Sequence, residues 1–265
     1  MDNRSSLYFE CHGDRVNPPL LMLHGFMGCI ADWQKVIAGL IDHFYCIAVD
    51  LPGHGKSVGF APAQKWGMAQ TAAAIVQLLK QQKIPRTHLL GYSMGGRLAL
   101  YLAIPFPQYF EKVLLESASP GLMSNEERQT RLQGDERIAR RLESGDFQKF
   151  LLEWYEMDFF QTLRNHPDFS AMFARRRQND PQALAKSLRE MGTGQQPSLW
   201  PELPRIKFPP LLVIGEKDAK FRAIAQKMAA TNPKICQSII PGCGHNVHFE
   251  APEIFVGEII KWLNS

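Results

Sequence analysis

One turn constrains the fold of this 265-residue chain more than any other feature. Residues 89–97 contain the pattern Gly-x-Ser-x-Gly centred on Ser93, after a short apolar run and before the helix-favouring residues 97–103. This context predicts a strand, a sharp turn and a helix, in which Gly91 and Gly95 lie where a Cβ would clash with the neighbouring strand and helix. The turn would hold the serine hydroxyl out at the carboxyl end of a sheet, beside a helix N-terminus that favours negative charge.

Strand and helix patterns alternate along most of the chain. Asp32 is expected to cap a first helix, and residues 71–83 and 254–263 predict two further amphipathic helices. Short apolar runs, which are typical of buried strands, occur at residues 7–11, 20–23, 45–50, 88–90, 113–115, 211–214 and 238–240. This alternation predicts an α/β fold with a mostly parallel central sheet flanked by helices.

The pattern changes between residue 117 and about residue 204. Strand-like runs disappear, and charged amphipathic stretches predict helices at residues 125–142, 147–155, 169–177 and 181–191. We therefore predict a core made of residues 1–118 and 205–265. Residues 119–204 would form a helical insertion between two strands, which we call the cap.

Composition and charge exclude several classes of function. A net charge of +4 is too small to indicate nucleic-acid binding, although it is compatible with a small anionic substrate. No apolar run is long enough to span a bilayer, and residues 1–6 lack the apolar core of a signal peptide. Five scattered cysteines without a Cys-x-x-Cys pair are typical of reduced thiols. We expect a cytoplasmic monomer without a membrane anchor or a nucleic-acid partner.

Motifs for cofactors and metals are missing from the sequence. It contains neither His-Glu-x-x-His nor Gly-x-Gly-x-x-Gly. His245 and His248 have no carboxylate or cysteine companion at zinc spacing. We expect an enzyme without a metal or a cofactor.

Ser93 needs two partners to act chemically. A serine hydroxyl is a poor nucleophile or base at neutral pH, so an imidazole must take its proton and a carboxylate must orient the imidazole. Asp218 and His245 each follow a predicted strand, where a parallel sheet places its site. The order Ser93, Asp218, His245 is one of the known orders of catalytic triads.

Other residues compete for these two roles. Glu216 lies nearer the end of its strand than Asp218, and Asp50 ends another strand. His248 follows His245 by three residues, but His245 lies in a glycine-rich turn and is better placed. We prefer Asp218 and His245, and expect His248 to pack or to support the site.

An acyl or enolate intermediate also needs donors directed at its oxygen. The backbone amide of Met94 is one candidate, because it begins the helix after Ser93. The amide of Phe26, in the loop after the strand at residues 20–23, is the other. The side chain of His24 is expected to fix that loop rather than to act as a base.

Several motifs together resemble the α/β-hydrolase superfamily: His-Gly-Phe-x-Gly, Asp-Leu-Pro-Gly-His-Gly-x-Ser, Gly-Tyr-Ser-Met-Gly-Gly-Arg, Gly-Glu-Lys-Asp and Gly-Cys-Gly-His-Asn-Val-His. That superfamily hosts many reactions. Arg97 and further segments resemble, more narrowly, the 2-succinyl-6-hydroxy-2,4-cyclohexadiene-1-carboxylate synthases of menaquinone and phylloquinone biosynthesis. These segments are residues 119–122, 127–131, 150–155, 175–177, 192–200 and 218–221.

The resemblance implies an α/β-hydrolase fold and an unusual use of the triad. Such an enzyme is a lyase that removes pyruvate from 2-succinyl-5-enolpyruvyl-6-hydroxy-3-cyclohexene-1-carboxylate. Ser93 would then act as a base that takes a ring proton, not as an acylating nucleophile.

The substrate of this family carries three carboxylates, so cations are expected in the pocket. Arg97, Arg131 and Arg176 match the family's substrate-binding arginines, and Trp154 and Tyr92 would line the site. The register at Arg176 stays open, because residues 175–177 are all arginine.

Two other functions remain possible at this point. A serine hydrolase acting on carboxylic esters or on C–C bonds of diketones would use Ser93 covalently. A binding or receptor protein on the same fold would use no triad, but the intact set of Ser93, Asp218 and His245 argues against it.

Overall fold

A seven-stranded sheet organises the chain in a computed structural model that describes residues 6–59 and 66–265. Its strands are β1 (Phe9–His12), β2 (Pro19–Leu23), β3 (Tyr45–Val49), β4 (Thr87–Tyr92), β5 (Phe110–Glu116), β6 (Leu211–Gly215) and β7 (Cys236–Ile240). Their order across the sheet is β1-β3-β2-β4-β5-β6-β7. Strand β1 is antiparallel to β3, and all other neighbours are parallel. The predicted α/β architecture is confirmed.

Helices cover both faces of this sheet. Outside the cap they are α1 (Gln34–Leu40), α2 (Met68–Gln81), α3 (Met94–Ala103), α9 (Ala219–Thr231), α10 (Val247–Glu250) and α11 (Pro252–Leu263). Leu21 and Leu23 pack with α2, α3 and α9, whereas Leu20 and Met22 pack with α1 and α11 on the other face. Because successive side chains of a strand point to opposite faces, a strand buried on both faces must be a continuous apolar run.

Five helices occupy the stretch named the cap. They are α4 (Asn125–Ser144), α5 (Phe147–Tyr155), α6 (Gln161–Arg164), α7 (Phe169–Arg176) and α8 (Pro181–Met191). Their aromatic and aliphatic side chains form a cluster of their own, which also takes in Met27 and Phe249 from the core. Although the sequence of α4 is highly charged, Ala139 and Leu142 on one side of this helix pack into the cluster. The short helices α6 and α10 were not predicted.

The turn at Ser93 has the strained geometry that the sequence predicts. Ser93 has a φ of +50°, in a backbone region that residues other than glycine rarely adopt. A Cβ on Gly91 would lie 2.7 Å from the Cα of Gly96 in α3, and a Cβ on Gly95 would overlap the carbonyl oxygen of Leu23 in β2. The two glycines thus allow β4, α3 and β2 to approach closely enough to hold Ser93 in this conformation.

Asp32 does not cap the first helix as predicted. The chain begins this region with a short 3₁₀ helix, Ile30–Trp33, whose N-cap is Cys29. The Asp32 carboxylate accepts a hydrogen bond from the Cys29 amide at 3.2 Å, and its other partners lie in the cap. Asp32 is therefore the third residue of a capping box on this 3₁₀ helix and not the N-cap of α1, and the same carboxylate also forms a tertiary ion pair.

The sequence predicts neither a membrane-spanning segment nor a signal peptide. No helix in the described residues is both long enough and apolar enough to cross a membrane. The expectation about a signal peptide rests mainly on residues 1–5, which lie outside the described residues.

We expect Gly95→Ala to lower the free energy of unfolding by about 3 kcal/mol or more, because the added methyl overlaps backbone atoms that cannot move cheaply. Gly257 is the matched control, since it lies in α11 with nothing within 4 Å of an added Cβ. Gly257→Ala should leave stability unchanged or raise it by up to about 1 kcal/mol. Urea unfolding measures both, and equal stabilities for the two variants would contradict this account of the turn.

Candidate active site

A cavity of about 620 Å³ lies between the carboxyl ends of the central strands and the cap. The core contributes Phe26, Ser93 and His245 to its wall, and the cap contributes Arg131 and Trp154. Residues of both the predicted core and the predicted cap therefore line the cavity.

Ser93, His245 and Asp218 form a hydrogen-bonded chain in this cavity. The Nδ1 atom of His245 lies 2.6 Å from Oδ2 of Asp218, and its Nε2 atom lies 3.3 Å from Oγ of Ser93. Asp218 and His245 are 3% and 5% exposed, so little water competes for the short carboxylate–imidazole bond. That bond places the proton on Nδ1 and leaves Nε2 as an acceptor for the serine proton. The arrangement can therefore raise the basicity of the Ser93 hydroxyl.

The structure separates these residues from their competitors. Asp50 is buried and accepts hydrogen bonds from the amides of Ile30 and Lys56, at 2.8 Å each, which fixes two loops. Glu216 is exposed and accepts a bond from the amide of Gly242. Neither carboxylate contacts the imidazole of His245.

His248 has a supporting place, as the sequence suggests. Both its amide, at 3.0 Å, and its Nδ1, at 2.7 Å, contact the carboxylate of Glu116. Glu116 ends β5, and its backbone carbonyl accepts a hydrogen bond from the amide of Ser93. The pair is buried and links the segment after His245 to the turn at Ser93.

Aromatic rings enclose the imidazole of His245. Phe159 meets it edge-on at 5.3 Å between ring centroids, Phe221 lies at 4.8 Å and Tyr92 at 5.5 Å. Phe159 comes from the cap, and the other two come from the core. These rings limit access of water to the imidazole and fix its plane.

The two expected oxyanion donors line the same cavity. Met94 is the first residue of α3, so its amide has no partner within the helix. Phe26 follows Gly25 in the loop after β2. His24 fixes that loop, since its Nε2 accepts from the Leu51 amide at 2.9 Å and its Nδ1 donates to the Gly25 carbonyl at 2.7 Å. Burial lowers the pKa of His24, which keeps the ring neutral for these two bonds.

Arg97 is a buried cation in the first turn of α3. It is 9% exposed, and its Nη1 donates to the side-chain oxygen of Gln196 at 3.2 Å. No carboxylate pairs with it in the described part of the chain. Burial, and next the positive charge of Arg131, lowers the pKa of Arg97 to about 10, so the side chain is still protonated at neutral pH. The wall of the cavity thus holds a buried positive charge without a directly paired carboxylate among the described residues.

Arg131 extends from the cap toward the same space. Its Nε donates to the buried carboxylate of Asp135 at 2.7 Å. This single contact orients the guanidinium, and its terminal nitrogens have no partner among residues 6–59 and 66–265. Arg131 can therefore donate to a ligand without breaking its bond to Asp135.

Arg176 has a different environment from the other two arginines. It is the arginine of the run that is buried, at 5% exposure, and it lines the cavity. Its terminal nitrogens form a bidentate pair with Asp32, at 3.0 and 2.7 Å, and its Nε donates to the hydroxyl of Tyr155 at 3.2 Å. Arg175 is partly exposed and touches the same carboxylate. All three nitrogens of Arg176 already have partners, and its expected contact with substrate stays a prediction.

Trp154 and Tyr92 also lie where the sequence suggests. Trp154 projects from α5 and meets the ring of Phe26 edge-on at 5.9 Å. Tyr92 is buried beside Ser93 and packs against His248 at 4.8 Å. Both side chains line the cavity.

Comparison with known proteins places this geometry in a family. Residues 18–252 match the family described as alpha/beta hydrolase fold. The chain is 34% identical over 252 residues to the 2-succinyl-6-hydroxy-2,4-cyclohexadiene-1-carboxylate synthase of Escherichia coli O1:K1 / APEC, covering 95% of this chain and 96% of that protein. It is also similar to the structure of MenH from S. aureus, with 32% identity, a TM-score of 0.92, and coverage of 97% and 98%.

The chain belongs to the 2-succinyl-6-hydroxy-2,4-cyclohexadiene-1-carboxylate synthase family of α/β hydrolases. Both the resemblance and the fold expected from the motifs are confirmed. The protein PHYLLO, chloroplastic, of Arabidopsis thaliana is 36% identical over 258 residues, covering 92% of this chain. The chain spans 15% of the length of that protein.

Several contacts in this synthase-family site were missed by sequence reasoning. Asp32 and Glu116 were not recognised as partners of Arg176 and His248, because each pair joins residues more than 130 positions apart. Gln196 lies in a segment that carried the family resemblance, which is the one signal that pointed to it. No group of three or more His, Cys, Asp or Glu side chains suited to a metal ion occurs among the described residues.

The Asp32–Arg176 pair predicts a particular dependence of stability on pH. Burial is the largest single influence and would raise the pKa of Asp32, but the charge and hydrogen bonds of Arg176, together with the charge of Arg175, outweigh it and hold the pKa at about 2. The unfolded carboxyl titrates near pH 3.9. The contribution of the pair is therefore complete above about pH 4 and is lost as the pH falls toward about 2.

We expect Asp32→Ala to lower the free energy of unfolding by about 3–5 kcal/mol at pH 7, because it leaves a buried guanidinium unpaired. Urea unfolding from pH 7 to pH 3 should show that difference shrinking on the acid side. The double variant Asp32→Ala, Arg176→Met should be more stable than Asp32→Ala at pH 7. A constant difference at every pH would contradict this account.

Proposed function

We propose that this protein is a 2-succinyl-6-hydroxy-2,4-cyclohexadiene-1-carboxylate synthase that eliminates pyruvate from 2-succinyl-5-enolpyruvyl-6-hydroxy-3-cyclohexene-1-carboxylate. Its named relative in Escherichia coli supports the assignment, and so does the chemistry of the cavity. The cytoplasmic location and the monomeric state stay predictions from the sequence.

The observation that carries this proposal is the unpaired charge of Arg97. A desolvated guanidinium without a counter-ion costs several kcal/mol unless a ligand supplies the anion. A neutral ester has no charge to offer it, whereas a tricarboxylate does. Arg131, directed at the same space, would bind a second carboxylate of the substrate.

The triad would act in this reaction as a base. The 2-succinyl group places a ketone beside the ring carbon that loses its proton. Ser93 takes that proton as His245 takes the serine proton, and the ketone oxygen gains the negative charge of an enolate. Asp218 stabilises the imidazolium that results.

The rest of the elimination follows from the same geometry. The amides of Phe26 and Met94 would donate to the enolate oxygen. Collapse of the enolate forms a double bond between ring carbons 2 and 3, shifts the existing double bond from carbons 3 and 4 to carbons 4 and 5, and breaks the bond from C5 to the enolpyruvyl oxygen. The enolpyruvyl group leaves as the enolate of pyruvate and gains a proton. Trp154 and Tyr92 would hold the ring in place during these steps.

Pyruvate release from the enolpyruvyl cyclohexene substrate tests the proposed function. We expect the unaltered protein to release one pyruvate for each diene product formed. Ser93→Ala, His245→Ala and Asp218→Asn should each lower turnover by about 1,000-fold or more, the size of loss seen when triads lose a member. Near-normal turnover by Ser93→Ala would mean that the triad is not the base.

A second experiment separates the lyase from a serine esterase. Arg97→Ala should lower catalytic efficiency on the tricarboxylate substrate by about 2–4 kcal/mol, because it leaves a carboxylate unpaired. The same change should matter little for a small neutral ester. Arg140→Ala is the control, since Arg140 lies on α4 but is 74% exposed and pairs with Glu136. Equal losses on both substrates would favour an esterase whose arginine only holds the cap.

A further inference from the structure

The cations around the cavity divide into neutralised and unneutralised groups. Arg176 has a bidentate carboxylate partner in Asp32, and Arg131 pairs through Nε with Asp135. Arg97, Lys220 and Lys227 also line the cavity, and none of the three forms a salt bridge within the described ranges of the chain. Lys220 had no assigned role in the sequence analysis beyond its place in a motif.

Lys220 lies close in sequence to Asp218, the carboxylate of the triad. It follows Asp218 by two residues, in the first turn of α9. Its ammonium lies 5.5 Å from the ring centroid of Phe221, and that ring lies 4.8 Å from the imidazole of His245. Lys220 is an exposed residue that also lines the cavity. Lys220 and Ser93 therefore line the same cavity.

Three positive side chains share this wall of the cavity. Arg131 is close enough to lower the pKa of both Arg97 and Lys220, after burial, which is the larger cause in each case. Such mutual repulsion is unfavourable, and the carboxylate of Asp135, which is bound to Arg131, offsets part of it at Arg97. On the opposite side, Asp218 is the carboxylate that acts on Lys220, and it is already bound to His245.

We propose that Lys220 is a substrate-binding residue that takes one of the three carboxylates, alongside Arg97 and Arg131. This inference rests on the proposed function, because it concerns the same substrate. It concerns a lysine on the core whose charge has no salt-bridge partner in the described residues, whereas Arg176 is paired with Asp32. An ammonium on a flexible side chain holds a carboxylate as a point charge and tolerates movement of the cap.

Steady-state kinetics of pyruvate release by Lys220→Gln test this role. The variant should raise KM about 10-fold or more, the effect of losing one charge-assisted hydrogen bond. It should change kcat by about twofold or less, because the lost contact is present in both substrate and transition state. Lys220→Arg, which keeps the charge, should recover most of the affinity.

Lys217→Gln provides the matched control. Lys217 precedes Asp218 by one residue, is exposed and does not line the cavity. It removes the same charge from the same loop, so a general electrostatic effect on the triad would appear in both variants. We expect the KM of Lys217→Gln to stay within about twofold of the unaltered protein, because surface charges are screened.

The affinity for the ring product, measured by calorimetry, identifies which carboxylate Lys220 holds. Weaker product binding by Lys220→Gln would place the carboxylate on the ring portion. A raised KM with unchanged product affinity would place it on the pyruvyl group that departs. Either result supports the contact.

Three outcomes would overturn the inference. If the unaltered protein turns over and Lys220→Gln has the same KM as Lys217→Gln, Lys220 does not bind substrate, while the proposed function stands. A shift in the pH profile of kcat with an unchanged KM would make Lys220 a positioning residue that acts through Asp218. If the unaltered protein releases no pyruvate, both proposals are wrong.

Discussion

A positive charge buried without a counter-ion is the constraint that best explains the architecture around the cavity. Arg97 lies in the first turn of the helix that begins after Ser93, so the backbone position of Arg97 depends on the turn at Ser93. The protein gives it the neutral side chain of Gln196 and no carboxylate among the described residues. A stable fold can tolerate such a residue where other contacts supply the stability, and an anionic ligand then completes the site.

Arg176, in contrast to Arg97, is a buried arginine whose charge is paired within the protein. Arg176 and Asp32 are both about 5% exposed and satisfy each other through two hydrogen bonds. This pair joins the last turn of α7 to the 3₁₀ helix Ile30–Trp33, which follows the loop after β2. An ion pair thus attaches the cap to the core, whereas Arg97 in the core has no carboxylate partner among the described residues. We therefore expect the paired arginine to contribute mainly to stability and the unpaired one to bind the anionic substrate.

The sequence predicts the parts of this site that depend on local patterns. Ser93, Asp218 and His245 each follow a short apolar run, and the carboxyl ends of parallel strands must meet at one edge. Contacts between distant segments were not predictable in this way. Nothing local distinguishes Arg176 from Arg175 or indicates that Asp32 lies opposite, 144 residues earlier in the chain. Its local signal, an acidic residue near a helix start, pointed to capping instead.

We propose that Ser93 removes a proton and never becomes covalently attached to the substrate. A single turnover with protein in excess, quenched in acid at successive times and followed by intact-protein mass spectrometry, tests this directly. We expect pyruvate and the diene product to appear together while the mass of the protein stays unchanged at every time. A transient adduct on Ser93, formed before product and lost with it, would show that Ser93 acts as a covalent nucleophile instead.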